Sequence, residues 1–247
     1  MKQLQFVKKG FKPVSRTVKW LKRFSPKHRY HQMPADSSFS NQLSDTGMNI
    51  NIMSFNIRRG TKQDGKNHWI FRRDLVNEIL HRYSSDVLGL QEALDFQISE
   101  IRAMLPGYEM INIISSGDNK VLHNAIFYKA ARFLVSEEGT FWYSETPDNL
   151  KGQTLINTKA EGKVQNPNPL MDTFRVRYPD QSNADTFHGY RRFFFRSKLD
   201  YIFVPATVSV HDAQIIQMRQ KRRYPSDHFP LFSHINLPET SVQQETI

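Results

Sequence analysis

Four short segments place carboxylates, amides and a histidine at the ends of apolar runs. They are Ser54-Phe55-Asn56-Ile57-Arg58, Asp86-Val87-Leu88-Gly89-Leu90-Gln91-Glu92, Ser197-Lys198-Leu199-Asp200-Tyr201-Ile202-Phe203 and Pro225-Ser226-Asp227-His228-Phe229-Pro230. The ends of buried strands are where open sheets assemble sites. Carboxylates converging there bind a hard divalent cation through oxygen. A neighbouring Asp–His pair supplies proton transfer. Each residue also has a plainer reading. Glu92 alone could be a carboxylate favoured by a helix N-terminus. Asp227 and His228 alone could be turn residues after Pro225. Asp200 is harder to dismiss, because a carboxylate inside an apolar strand needs a partner. His188, in Thr186-Phe187-His188-Gly189-Tyr190, reads as a loop or turn residue rather than a ligand.

Together and in this order, the four segments resemble the endonuclease/exonuclease/phosphatase superfamily, the deoxyribonuclease I-like group of metal-dependent phosphoesterases. The resemblance runs over residues 48–237 and rests on S-F-N-I-R, D-V-L-G-L-Q-E, K-L-D-Y-I-F-V and S-D-H-F-P-L. Residues 139–147 (G-T-F-W-Y-S-E-T-P) and 186–190 (T-F-H-G-Y) resemble an uncharacterised bacterial-type branch. The resemblance implies an α/β fold, a four-layer sandwich of two mixed sheets with helices outside. It implies Glu92 as principal ligand of Mg²⁺ (or Mn²⁺), with Asn56 and Asp227 completing the metal shell. It implies Asn56, Arg58 and His228 on the phosphate. Asp200, Asp227 and His228 would be the catalytic set, Asp200 orienting a histidine and His228 acting as acid/base or electrostatic stabiliser. The reaction implied is in-line attack of an activated water on a phosphate ester.

Two segments of that pattern are missing. One is a strand ending in N-T-H, with a second catalytic histidine. The other is G-D-F-N, whose Asp positions the attacking water. Here Asn157-Thr158 is followed by Lys159, and Asp148-Asn149 lacks the intervening Phe. Asp172-Thr173-Phe174-Arg175 then resumes the pattern. A strand, a helix and a further strand with loops amount to roughly 50–70 residues. The sandwich is therefore expected to be incomplete in its central strands. Loss of the water-positioning Asp alone costs about 10²–10⁴-fold in rate. Three readings follow: an impaired metal-dependent hydrolase, a non-catalytic domain that binds a phosphate-bearing ligand or a protein, and a nonfunctional truncated product.

The elements that must position these residues follow from periodicity. Alternation and β-branching predict strands over 48–55, 86–90, 108–114, 124–129, 133–137, 198–204, 213–218 and 229–235. Spacing of three and four predicts helices over 69–83 and 93–105, the second stopped by Pro106-Gly107. Residues 147–168 are polar and read as a long loop, unusual inside a compact domain.

Composition narrows the class. The chain has 247 residues, 38% hydrophobic and 23% charged, enough for one large domain or two small ones with a core. No apolar run reaches the roughly 18–20 residues of a membrane span. Cysteine is absent, which excludes disulfides, zinc-thiolate sites and a cysteine nucleophile. The net charge is +10, and residues 1–30 hold ten Lys/Arg and no acid, so the remainder is balanced. The high pI therefore belongs to a tail, and the balanced body argues mildly against a strongly electrostatic DNA binder. Val7, Phe11, Val14, Val18 and Leu21 share a helical face, and the helix is expected to begin near Pro13. That tail could contact a membrane surface or polyanion, or direct import into an organelle; the default location is the cytoplasm. Residues 1–47 are then tail and linker, 48–237 the domain, and 238–247 a polar tail. Nucleic acid is kept as a substrate class by two basic clusters with aromatics between them: Arg191, Arg192, Arg196 and Lys198, then Arg219, Lys221, Arg222 and Arg223. A solvated face alternating with core is the plainer reading of both.

Overall fold

A computed structural model describes residues 12–13, 47–117, 120–139, 170–190 and 196–239. Ten strands are present among them: β1 (Lys12–Pro13), β2 (Met48–Asn56), β3 (Val87–Ala93), β4 (Tyr108–Gly117), β5 (Lys120–Lys129), β6 (Phe133–Leu134), β7 (Leu170–Asp172), β8 (Phe203–Pro205), β9 (Ser209–Ile215) and β10 (Leu231–Leu237). The helices are α1 (Arg73–Tyr83), α2 (Asp95–Met104) and the short α3 (Thr173–Arg177).

One mixed sheet has the order β4-β5-β3-β2-β10-β9. β2 and β3 run parallel, with Asn56 beside Gln91, and the other pairs are antiparallel. The parallel pair is joined through α1, as a parallel crossover requires. A second, two-stranded sheet pairs β7 with β8, and β1 pairs with β6. The architecture is α/β, and of two facing sheets the second is represented by β7 and β8 alone among the described residues.

The alternation of β2 explains the layers. Met53 and Phe55 point to one face and join Leu88, Leu90, Ala125 and Phe127 beneath the apolar sides of α1 and α2. Ile50 points to the other face and meets Ile111, Tyr128, Val204 and Ile235. A third cluster, Phe174, Ala184, Ile202, Ala213 and Leu231, seats α3 against the β9 edge. Helix α1 buries Leu75, Val76, Ile79 and Leu80, at about 1.5–3 kcal/mol for each side chain.

Several expected boundaries move. The helix expected from residue 69 begins as a 3-10 turn over Trp69–Phe71 and becomes α-helical only at Arg73. The break lies at Arg72, at φ −126° and ψ −11°, whose side chain turns inward to bind backbone carbonyls. The strand expected over 198–204 is paired only from Phe203 to Pro205. Upstream, the amides of Leu199 and Asp200 both donate to Thr186 Oγ1 (2.9 Å each) instead of to a strand. The strand expected over 213–218 is seated earlier, at Ser209–Ile215. The helix expected near Pro13 and the loop over 147–168 lie outside the described residues, except that Lys12–Pro13 itself is a strand.

Candidate active site

The end of the parallel pair builds the first half of the site. Asn56 closes β2, and the Ile57 amide reaches across to Gln91 O (3.1 Å). The β3 ladder shifts register between Leu90 and Ala93, and Glu92 there adopts φ +62°. A non-glycine residue in that region is strained, and such strain persists only where its surroundings hold it. Here the hold is visible: Asn56 Nδ2 donates to Glu92 Oε1 (2.9 Å). Asn56 Oδ1 accepts from the Arg58 amide (3.0 Å), so the buried Asn56 uses both ends of its side chain. Its observed role is to orient Glu92 and the backbone of Arg58.

The second half comes from the loops before β8 and β10. His228 Nδ1–H donates to Asp200 Oδ2 (2.7 Å), and each side chain is only 6% exposed. That bond leaves His228 Nε2 as the second ring nitrogen. The imidazole also packs against Phe187, ring centres 5.0 Å apart. The loop is tied to the sheet by Ser226 Oγ, which donates to Asn56 O (2.7 Å). Asp227 is buried, and burial pushes its carboxyl up from the ordinary range, with the Glu92 charge adding to the rise. His228 and Arg58 pull the other way but do not prevail.

Arg58 joins the halves. It sits at φ +55°, with its carbonyl held by Arg72 Nη2 (2.6 Å) and Gln97 Nε2 (3.1 Å). Its guanidinium pairs with Asp64 (3.1 Å) and lies 3.7 Å from Asp227 Oδ2. The structure thus brings Asn56, Arg58, Glu92, Asp200, Asp227 and His228 to one end of the main sheet.

No family model and no curated protein matches this sequence. Solved structures do. An endonuclease/exonuclease/phosphatase protein from Bacteroides vulgatus aligns with 77% of this chain and 100% of its own, at TM-score 0.62 and 22% identity. A Bacteroides thetaiotaomicron mannosyl-6-phosphatase aligns over 75% of this chain and 99% of its own, at TM-score 0.58 and 21% identity. TDP2 from D. rerio, complexed with a single-strand DNA product, aligns over 76% and 99%, at TM-score 0.52 and 15% identity. The chain has the endonuclease/exonuclease/phosphatase fold.

Within this fold, the donor set suits a hard cation. Glu92 and Asp227 are oxygen donors, the Glu92 charge acting on Asp227, and Mg²⁺ commonly takes one or two carboxylates and keeps several waters. Among the described residues no three His, Asp or Glu side chains form a metal-holding cluster. Of the first basic cluster, Lys198 is tied to Asp172 (2.7 Å) and lies over Tyr201 (3.5 Å), while Arg191 and Arg192 fall outside the described residues. Arg219, Lys221, Arg222 and Arg223 are exposed.

Sequence reasoning missed the support of the site. Arg72 is 1% exposed and bonds carbonyls of Ile57, Arg58, Asn67 and Pro225. Gln97 ties Gly60 (2.8 Å) and Leu94 (3.1 Å) to the Arg58 carbonyl. Both read in the sequence as ordinary members of amphipathic helices. His188 is a loop residue, within the expected loop or turn, but a buried one. Its ring lies 4.4 Å from Tyr224 and 4.3 Å from Phe229, and its amide donates to Asp227 O (3.0 Å). Burial, helped by the neighbouring His228 and Arg196, lowers its pKa to about 4, against a backbone bond to Ser226 that raises it.

That shift has a pH signature. The unfolded histidine titrates near 6.5 and the folded one near 4, so between these values the unfolded chain binds more protons. The contribution of His188 is full above pH 6.5 and is lost as pH falls toward 4, by about 2–3 kcal/mol. Denaturant unfolding at pH 7 and pH 5 should show about 2 kcal/mol of that loss in the wild type and a flatter profile in His188→Phe. Parallel profiles would contradict the assignment.

Proposed function

We propose that this chain is a divalent-metal-dependent phosphoesterase whose turnover is slowed by the missing N-T-H and G-D-F-N segments. The observation that carries the reading is the buried Asp200–His228 pair (2.7 Å) on the same sheet end as the Asn56–Glu92 pair (2.9 Å). A buried carboxylate–imidazole pair beside a second carboxylate needs a chemical use to justify its desolvation.

Each residue then has a task. Glu92 and Asp227 hold Mg²⁺ or Mn²⁺, and Asn56 keeps the Glu92 carboxylate in one orientation. The bound ion supplies Lewis-acid neutralisation of the phosphoryl oxygens. Arg58 binds the phosphate through its guanidinium. His228 presents Nε2 to the phosphate and holds a proton there, and Asp200 stabilises the imidazolium at Nδ1. Water attacks phosphorus, the ester P–O bond breaks, and the leaving alkoxide departs as an alcohol with one of the water's protons. The substrate class is a phosphate ester; the similar structures include a sugar phosphatase and a protein crystallised with a DNA product.

Asp200→Asn tests the reading. It keeps the side-chain shape but removes the charge that favours the Nδ1–H form of His228. Hydrolysis of p-nitrophenyl phosphate or its bis-ester is expected to fall about 10²-fold. Unchanged turnover would remove His228 from the mechanism. A second reading, a phosphate-ligand-binding domain without turnover, is favoured by the missing water-positioning Asp. Phosphate and metal binding without hydrolysis would select it.

A further inference from the structure

The Arg58 guanidinium is forked to Asp64 on one edge and lies beside Asp227 on the other. Its Nε and Nη2 donate to Asp64 Oδ2 (3.4 Å) and Oδ1 (3.1 Å), a side-on fork. Its Nη1 lies 3.7 Å from Asp227 Oδ2, beyond a good hydrogen bond. Among the described residues the end-on edge, Nη1 and the second N–H of Nη2, makes no hydrogen bond, and its nearest carboxylate is Asp227. The Arg58 side chain is 30% exposed, and that of Asp64 only 9%.

Asp64 is anchored independently of Arg58. It lies in a 3-10 turn over Lys62–Asn67, where its amide donates to Thr61 O (3.1 Å). Gly65 follows at φ +52°, a conformation suited to glycine, and lets the chain reverse there. Arg72 Nε fixes the end of the turn at Asn67 O (2.9 Å). An arginine loses much rotamer freedom when it binds a ligand, and holding one edge of the fork in advance removes that cost.

We propose that Asp64 is a positioning residue for phosphate: it fixes the side-on edge of Arg58 so that the end-on edge meets the phosphoryl oxygens. The inference rests on the phosphoesterase reading only in taking Arg58 as the phosphate contact. Two effects of Asp64 oppose each other. Its charge repels an incoming anion, and its fork preorganises the cation. A bidentate, mostly buried fork is the stronger of the two, because Arg58 already neutralises the carboxylate that would repel.

The test is binding of inorganic phosphate to the full chain by calorimetry in the presence of Mg²⁺, which needs no turnover. Arg58→Ala is expected to weaken phosphate binding at least about tenfold, Asp64→Ala about five- to tenfold, and Asp64→Asn by less. The double variant Arg58→Ala/Asp64→Ala should bind no worse than Arg58→Ala alone, because Asp64 acts through Arg58. In hydrolysis, Asp64→Ala should raise KM more than it lowers kcat, with the protein still folded and its denaturation midpoint lowered by the lost ion pair. Phosphate bound as well or more tightly by Asp64→Ala would overturn the inference while leaving the phosphoesterase reading intact. An additive loss in the double variant would overturn it too. Phosphate binding with the expected pattern but without hydrolysis would sink only the hydrolase reading.

Discussion

Glu92→Gln is expected to lower metal-dependent phosphoester hydrolysis by about 10³-fold or more. The substitution is nearly isosteric. Gln Oε1 can still accept from Asn56 Nδ2, so the strained backbone at φ +62° keeps its support. What is lost is the charge that, on the proposed reading, would hold a divalent cation beside Asp227. Burial raises the Asp227 carboxyl from its ordinary range, so the Glu92 charge is the one whose loss is tested here. The variant should therefore fold, with an unfolding midpoint near that of the wild type, yet bind Mg²⁺ far more weakly. Hydrolysis within tenfold of wild type at millimolar Mg²⁺ would remove Glu92 from the metal site.

The largest effect on stability is expected at Arg72. Its side chain bonds four carbonyls, those of Ile57, Arg58, Asn67 and Pro225, and its guanidinium lies 5.1 Å from the centre of the Trp69 ring. It joins the end of β2, the turn carrying Asp64 and the loop carrying Asp227. Arg72→Ala leaves those carbonyls without their donor and opens a hole under the site. Such losses cost about 3–5 kcal/mol, a large part of the 5–15 kcal/mol that a domain has. Arg72→Lys keeps the charge but has no planar fork and should recover less than half of the loss. Denaturant unfolding of both variants measures this. A loss under about 1 kcal/mol for Arg72→Ala would show that the three segments are held together by other contacts.

The parts of the site that were legible in the sequence are those that break a local pattern. Asp200 interrupts an apolar run, and its partner His228 follows another carboxylate at the start of a strand. Met53, Phe55, Leu88 and Leu90 lie in apolar runs that read as strands, and they are buried in the core. The supports were not legible, because their roles arise only from tertiary contacts. Arg72 and Gln97 sit at ordinary helical positions, and nothing local distinguishes an arginine that faces water from one that faces carbonyls. Asp64 before Gly65 carries a turn signal, but its pairing with Arg58 depends on a reversal of the chain between them. Strand limits shifted for a similar reason: the Thr186 hydroxyl takes the amides of Leu199 and Asp200, a bond invisible in a strand pattern.

The central claim is that this chain still hydrolyses phosphate esters through a divalent cation held at Glu92 and Asp227. The direct measurement is hydrolysis of bis(p-nitrophenyl) phosphate by the purified chain in Mg²⁺ and again in excess chelator, with Glu92→Gln prepared in parallel. Slow turnover that needs the metal and disappears in the variant is the predicted result. Folded protein that shows no turnover above the Glu92→Gln preparation would contradict it.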